Sequence, residues 1–125
     1  MGSVFCIIGK SSSGKDTIYK RLLENPVLCL KRIVLYTTRP IRAGEQEGVE
    51  YHFTSADVMG QMEQEGRIIE CRSYNTVYGV WYYFMAMDHQ INLDESDYLV
   101  IGTLESYTKI RDYFGRDKVK PVYID

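Results

Sequence analysis

The outer parts of the chain carry apolar runs that predict buried strands. A continuous apolar run over residues 3–8 is typical of a strand buried on both faces. After a glycine-bounded loop, Ile18 and Leu22 fall four residues apart and Pro26 closes the segment. This spacing predicts a helix of about ten residues over 16–25. The chain therefore opens with a strand, a loop and a helix.

The same alternation of strand and helix patterns recurs further along the chain. Apolar runs over 31–36, 97–102 and 119–124 predict three further core strands, with Pro121 tolerable only near the start of its strand. Between the last two runs, residues 106–115 have helical spacing and end in glycine. Alternating strands and helices predict an α/β fold built on a parallel sheet, of the phosphate-loop NTPase type.

The middle of the chain breaks this rhythm. Residues 67–74 and 77–84 are rich in β-forming residues, whereas residues 54–66 predict a helix that opens with Thr54 in capping-box spacing. We interpret residues 1–32 and 92–125 as the core of one domain spanning 1–125. Residues 33–91, approximately, then form a mixed β/α insertion that covers the ends of the core strands.

Composition and charge exclude several classes of function. The chain has 125 residues, 45% of them hydrophobic and 26% charged, with a formal net charge of −2. This balance suits a globular domain and argues against a general nucleic-acid binder. Cys6, Cys29 and Cys71 have no metal-ligand spacing. No basic leader or long apolar segment is visible, so we expect a cytoplasmic protein without a membrane partner.

The loop after the first strand carries a phosphate-binding pattern. In "IIGKSSSGKDT", Gly9, Gly14 and Lys15 satisfy G-x-x-x-x-G-K. Successive backbone N–H groups and the start of the following helix would bind phosphate oxygens, and Lys15 would reach the β- and γ-phosphates. The alternative is a surface turn rich in glycine and serine. The predicted ATP-phosphate site comprises Gly9, Lys10, Ser11, Ser12, Ser13, Gly14, Lys15, Asp16 and Thr17.

Asp16 departs from this pattern, which requires a hydroxyl at that position. A carboxylate ~4 Å from a phosphate oxygen costs about 4 kcal/mol at an effective dielectric constant of ~20. A magnesium ion between the two anions would remove this repulsion. Thr17 is rotated by about 100° around the helix and does not take over the missing role. We therefore hypothesise that Asp16 helps to hold Mg²⁺.

A second candidate anion site lies in "TTRPIRAGEQEGVEYHF". Arg39 and Arg42 come from one short turn, and Pro40 holds Arg39 extended. Two guanidinium groups suit contact with a phosphate, and Tyr51 adds a hydroxyl. The alternative is a pair of solvated arginines.

Taken together, these segments resemble the guanylate kinase family. The shared motifs are "GKSSSGK", "YTTRPIRAGEQEGVEYHF", "IIE" and "VYGV", in matching order over about residues 4–80. The resemblance implies a kinase that transfers the γ-phosphoryl group of ATP to a nucleoside monophosphate, most directly GMP, with Mg²⁺. It also implies roles for individual residues. Lys15, Arg39 and Arg42 would be catalytic, and the acceptor would be bound by Arg39, Arg42, Tyr51, Glu70, Tyr78 and Gly79.

Within this resemblance, Glu70 would accept hydrogen bonds from guanine, and Gly79 would present Tyr78 to the acceptor phosphate. Leu35 and Val80 replace family residues beside the acceptor, and Thr103 stands where the family has an aspartate near the metal. These departures leave two alternatives open. One is a kinase of the same fold that acts on another phosphorylated acceptor, and the other is a catalytically silent nucleotide-binding module.

The family continues after the fourth core strand with an arginine-bearing lid and closing segments, which are absent from these 125 residues. Without lid arginines, charge in the transition state is poorly compensated, so we expect weak binding and slow turnover or none. An uncovered final strand also suggests a longer natural protein or cover by a second copy of the chain.

Overall fold

The computed structural model describes residues 2–9 and 14–124. In chain order its strands and helices are β1 (Val4–Gly9), α1 (Lys15–Glu24), β2 (Leu30–Arg32), β3 (Tyr36–Thr37), β4 (His52–Phe53), α2 (Ala56–Gln64), β5 (Ile68–Thr76), β6 (Gly79–Ala86), β7 (Asp97–Gly102), α3 (Leu104–Phe114) and β8 (Val119–Ile124). They divide between two compact units, Met1–Ile33 with His89–Asp125 and Val34–Asp88. None of the helices in the described part is long and apolar enough to cross a membrane.

The first unit contains a four-stranded sheet in the order β2-β7-β1-β8, and each neighbouring pair is parallel. Helix α1 contacts β1, β2 and β7, whereas α3 contacts β1, β7 and β8. The two central strands carry the most apolar runs, and Val4, Cys6, Ile7 and Leu99 are buried there. This parallel sheet flanked by helices confirms the predicted α/β fold.

Strand β8 does not have the fully buried environment that we predicted. Among the described strands it pairs with β1 alone, so it lies at an edge of the sheet. Val119 is buried, but Lys120 and Pro121 are exposed. A proline lacks the N–H group that a central strand needs, and an edge strand tolerates it.

The strand predicted over residues 31–36 is also corrected. Residues Leu30–Arg32 form β2 in the first unit, whereas Tyr36–Thr37 form β3 in the second. The boundary between the units falls between Ile33 and Val34. An apolar run indicates burial, but it does not show that the chain changes sheets within the run.

The second unit contains a mixed sheet in the order β4-β3-β6-β5, in which β3 and β4 are parallel and the other pairs are antiparallel. Helix α2 is capped by Ser55, whose Oγ accepts a hydrogen bond from Val58 N at 3.2 Å. The cap predicted at Thr54 is therefore wrong by one residue. The helix ends at Gln64, two residues before the predicted Gly66, and Gly66 follows it with a φ of 72°.

Side chains alternate between two faces of this sheet. One face packs on α2 and forms an apolar core of Met62, Phe84 and Ala86, joined by Tyr36, Met59, Ile68, Cys71 and Tyr82. Directly paired residues share a face, so Tyr83 projects to the opposite side together with Thr37 and Arg72. We call this opposite side the ligand face.

Candidate functional site

The start of α1 has the geometry of an anion-binding site. Gly14 adopts a left-handed conformation with a φ of 83°, which residues with side chains rarely adopt, and no side chain in the described part caps the helix. The first N–H groups of α1 are therefore left for another acceptor. Lys15 Nζ donates to the Gly9 carbonyl oxygen at 2.9 Å, which links the start of α1 to the end of β1.

The rest of the predicted loop is only partly described. Lys10, Ser11, Ser12 and Ser13 lie outside the described residues. Asp16 and Thr17 are exposed in the first turn of α1, where a carboxylate interacts favourably with the helix dipole. Within residues 2–9 and 14–124, no three His, Cys, Asp or Glu residues group as a metal site.

Thr103 also has a clear structural role in the first unit. Its hydroxyl caps α3 by accepting a hydrogen bond from Ser106 N at 3.1 Å. Thr103 is thus an N-cap of the kind that stabilises a helix start.

In the second unit, Arg39 is the most strongly held of the predicted site residues. It is 4% exposed, and its two terminal nitrogens each contact one carboxylate oxygen of Glu45 at 2.9 Å. Arg39 Nη1 also donates to the Pro40 carbonyl oxygen at 3.1 Å. The hydrogen bonds from Arg39 and from the Arg42 backbone lower the pKa of Glu45 to about 2, so this carboxylate is ionised at neutral pH.

The surroundings of Arg39 fix its orientation. Its guanidinium carbon lies 5.3 Å from the centre of the Tyr51 ring and 5.7 Å from the centre of the Phe53 ring. Its backbone N–H donates to Thr37 Oγ1 at 3.1 Å. Hydrogen bonding to Glu45 raises the pKa of Arg39, against the smaller opposing effect of burial.

Arg42 has a different environment. Its backbone N–H donates to Glu45 Oε1 at 2.8 Å, but its side chain is exposed. The Glu45 carboxylate thus holds the turn between the two arginines. It accepts hydrogen bonds from the side chain of Arg39 and from the backbone N–H of Arg42. The structure does not bring the two guanidinium groups together on this carboxylate.

Glu70 is buried on β5, with 4% of its surface exposed. A bulge between Ile68 and Glu70 shifts the strand register, so that Ile68 faces the apolar core and Glu70 pairs with Met85 across the ladder. Glu70 Oε2 lies 3.7 Å from Arg72 Nε, which makes an ion pair beyond hydrogen-bond distance.

A cleft of about 350 Å³ opens on the ligand face and is lined by Tyr51, Arg72, Tyr74 and Tyr83. The Tyr83 ring is central, because it makes edge contacts with both Tyr51 and Tyr74 at centroid distances of 5.5 Å. Aromatic walls with a few polar groups are typical of small-molecule sites.

Tyr78 and Gly79 lie at the tip of the β5–β6 hairpin. Tyr78 is 82% exposed and stacks on Trp81 with ring centroids 6.2 Å apart. Gly79 has a φ of 115°, as the prediction of a tight turn requires. Tyr78 is not among the cleft-lining residues.

Sequence reasoning gave no role to Glu45, Arg72 and Tyr74. The sequence carries a signal for Arg72 and Tyr74 but not for Glu45. Arg72 and Tyr74 follow Glu70 at alternate positions, which on a strand would direct all three toward one face. The Glu45 pairing had no such signal, because it spans a loop without periodicity.

Comparisons with known proteins show the family of this chain. The family model described as guanylate kinase matches residues 1–97. The guanylate kinases of Aliivibrio fischeri and Vibrio cholerae are each 35% identical to this chain over 82 residues, which is 65% of this chain and 38% of theirs. The matched segment thus covers well under half of these relatives.

Among solved structures, the guanylate kinase of Anaplasma phagocytophilum superimposes with a TM-score of 0.66 at 24% identity. The match covers 98% of this chain and 58% of the other. At 24% identity this likeness supports the fold alone.

Proposed function

Because the chain belongs to the guanylate kinase family, we propose that it transfers the γ-phosphoryl group of ATP to a nucleoside monophosphate, most directly GMP. The observation that carries the proposal is the ligand face of the second unit. There a buried arginine is held by Glu45 beneath Tyr51, next to a tyrosine-lined cleft and a buried glutamate. The resemblance assigns these positions to the acceptor.

The first unit supplies the donor side. The uncapped start of α1 and the left-handed Gly14 fit a phosphate group, because the N–H groups there have no side-chain acceptor in the described part. Lys15 exchanges the Gly9 carbonyl oxygen for a phosphate oxygen and neutralises charge on the transferred group.

Asp16 fits Mg²⁺ as a single protein ligand. Magnesium in kinases is commonly bound by one or two carboxylates together with substrate phosphates, so the absence of an acidic cluster in the described residues is compatible with it. When bound, the ion neutralises charge on the phosphates. Asp16 is exposed and within the first helical turn, where it can adjust to the ion.

On the acceptor side, Glu70 is proposed to accept the two N–H donors of the guanine edge, which suit a single carboxylate. The Tyr51 hydroxyl donates a hydrogen bond to the acceptor phosphate. Arg42 has an exposed side chain and is proposed to reach toward the transferred group. Phosphoryl transfer depends on positioning and charge neutralisation, and these residues supply both.

The test is ADP release from Mg-ATP in the presence of GMP, dGMP, AMP, CMP or UMP, with ATP alone as the blank. We expect release with GMP, and we expect Lys15→Met to lower its rate by about 100-fold or more. Arg116→Gln is the matched control, because Arg116 is an exposed cation in the first unit.

Two outcomes would contradict the proposal. Release with another monophosphate but not with GMP would indicate a kinase of the same fold with a different acceptor. Nucleotide binding without release for any acceptor would indicate a silent binding module.

A further inference from the structure

Glu70 and Arg72 form a charge pair on β5, and the family resemblance gives Arg72 no role. The two residues stand at alternate positions of the strand, so their side chains project to the same side. The Glu70 side chain is 3% exposed, whereas that of Arg72 is 36% exposed. Arg72 Nε lies 3.7 Å from Glu70 Oε2. A buried carboxylate therefore has a partly solvated guanidinium beside it.

The charge of Glu70 depends on such a neighbour. Burial disfavours the ionised form of a carboxyl group, and a cation within about 4–6 Å favours it. Arg39, on the same face, is already bound through both terminal nitrogens to Glu45. Neighbours of the Glu70–Arg72 pair across the β5–β6 ladder and around the cleft are the uncharged side chains of Met85, Tyr83, Tyr51 and Tyr74. Arg72 is thus the cation that these contacts bring to Glu70.

The protonation state of Glu70 decides which base edge it can bind. An ionised carboxylate only accepts hydrogen bonds, whereas a protonated one donates through its O–H and accepts through its other oxygen. Guanine presents two donors side by side, N1–H and the N2 amino group, and needs two acceptors. Adenine presents the acceptor N1 beside the N6 amino donor, so it matches the protonated acid. One proton on Glu70 would therefore reverse the preference.

We propose that Arg72 is a positioning residue that keeps Glu70 ionised and thereby selects guanine over adenine in the acceptor. The inference rests on the proposed function for the placement of the base against Glu70. Arg72 acts through the carboxylate and not by contact with the base. At 3.7 Å its Nε lies beyond hydrogen-bond distance of Oε2, so it supplies charge without occupying that oxygen.

The test is the affinity of the purified chain for GMP, IMP and AMP, measured by calorimetry at neutral pH. IMP lacks the N2 amino group and offers one donor fewer than GMP. We expect the wild-type chain to bind GMP about 10-fold or more tightly than IMP, and AMP more weakly still. Arg72→Gln should weaken GMP by about 10-fold or more and bring its affinity close to that of AMP. Arg72→Lys restores the charge and should recover the preference for GMP.

Arg67→Gln is the matched control, because Arg67 belongs to another ion pair of the second unit. Its side chain is 38% exposed, close to that of Arg72, but its partner Glu65 is 46% exposed. Loss of this cation leaves a solvated carboxylate, so the ratio of GMP to AMP affinity should change by less than about 2-fold. A change as large as that in Arg72→Gln would show a general effect of lost charge and contradict the proposal.

A second measurement reads the charge directly and does not depend on the folding of a variant. The ¹³C resonance of the Glu70 side-chain carboxyl group should have the shift of an ionised carboxylate in the wild-type chain at neutral pH. A protonated Glu70 there would overturn the proposal. An Arg72→Gln variant that keeps the wild-type preference for GMP would do the same, as would a wild-type chain that binds no GMP.

Failure of the proposed function has a different signature from failure of this inference. GMP binding that loses its preference over AMP in Arg72→Gln, in a chain that releases no ADP, would leave the inference intact and contradict the kinase. ADP release with GMP that is equally selective in Arg72→Gln would support the kinase and contradict the inference.

Discussion

Replacing Thr37 by valine should reveal how much the ligand face depends on one buried hydroxyl. Thr37 has no exposed surface; its Oγ1 donates to the Tyr82 carbonyl oxygen at 2.9 Å and accepts from Arg39 N at 3.1 Å. Valine keeps the shape of threonine but removes both hydrogen bonds. The Arg39 N–H is then left without its partner in a buried position.

The expected cost follows from these two bonds. An orphaned buried N–H costs about 1–3 kcal/mol, and the lost hydrogen bond to Tyr82 adds about 0.5–1.5 kcal/mol. The Tyr82 carbonyl oxygen keeps a second donor, Thr38 N at 3.1 Å, so it adds no penalty for an unpaired acceptor. We therefore expect Thr37→Val to lower the free energy of unfolding by about 1.5–4.5 kcal/mol.

Urea unfolding followed by the fluorescence of Trp81, the single tryptophan, measures this change in the second unit. The matched control is Thr37→Ser, which keeps the hydroxyl and removes one methyl group, for a cost of about 1 kcal/mol. Affinity for GMP should fall in the valine variant and not in the serine variant, because Arg39 loses its backbone anchor. A valine variant as stable as the serine variant would refute the reasoning.

Three further predictions concern stability. The pKa of Glu45 is lowered from 4.5 to about 2, chiefly by Arg39, so its stabilising contribution should be present above pH 4.5 and lost as the pH falls to about 2. An acid titration of Trp81 fluorescence should show this loss in the wild type but not in Glu45→Gln. Gly60→Ala should stabilise α2 by about 0.5–1 kcal/mol, because an added Cβ meets nothing within 4 Å; a destabilised variant in urea unfolding would contradict this. Gly79→Ala should lower the free energy of unfolding by about 1–3 kcal/mol in the same assay, because Gly79 has a φ of 115° that residues with side chains rarely adopt. An unchanged urea midpoint would contradict this.

The parallel core was predictable because local patterns and long-range packing agree there. The apolar runs of β1 and β7 and the helical spacing of α1 and α3 each appear in the structure close to the predicted bounds. Central strands of a parallel sheet are buried on both faces, so continuous hydrophobicity identifies them.

The second unit was less predictable because its features depend on contacts between distant segments. The break between Ile33 and Val34 lies inside an apolar run. The bulge beside Glu70 becomes visible only in its pairing with β6. Tyr78 is exposed and stacks on Trp81, and its expected place beside the acceptor stays a prediction.

Paired charges explain how this ligand face can remain folded without a ligand. A buried guanidinium without a counter-ion is strongly destabilising, so Arg39, which is 4% exposed, needs a carboxylate nearby. Each pair also competes with an incoming phosphate, and the competition is stronger where the pair is bidentate. The bidentate contact of 2.9 Å between Arg39 and Glu45 should therefore be harder for an anion to displace than the single contact of 3.7 Å between Arg72 and Glu70.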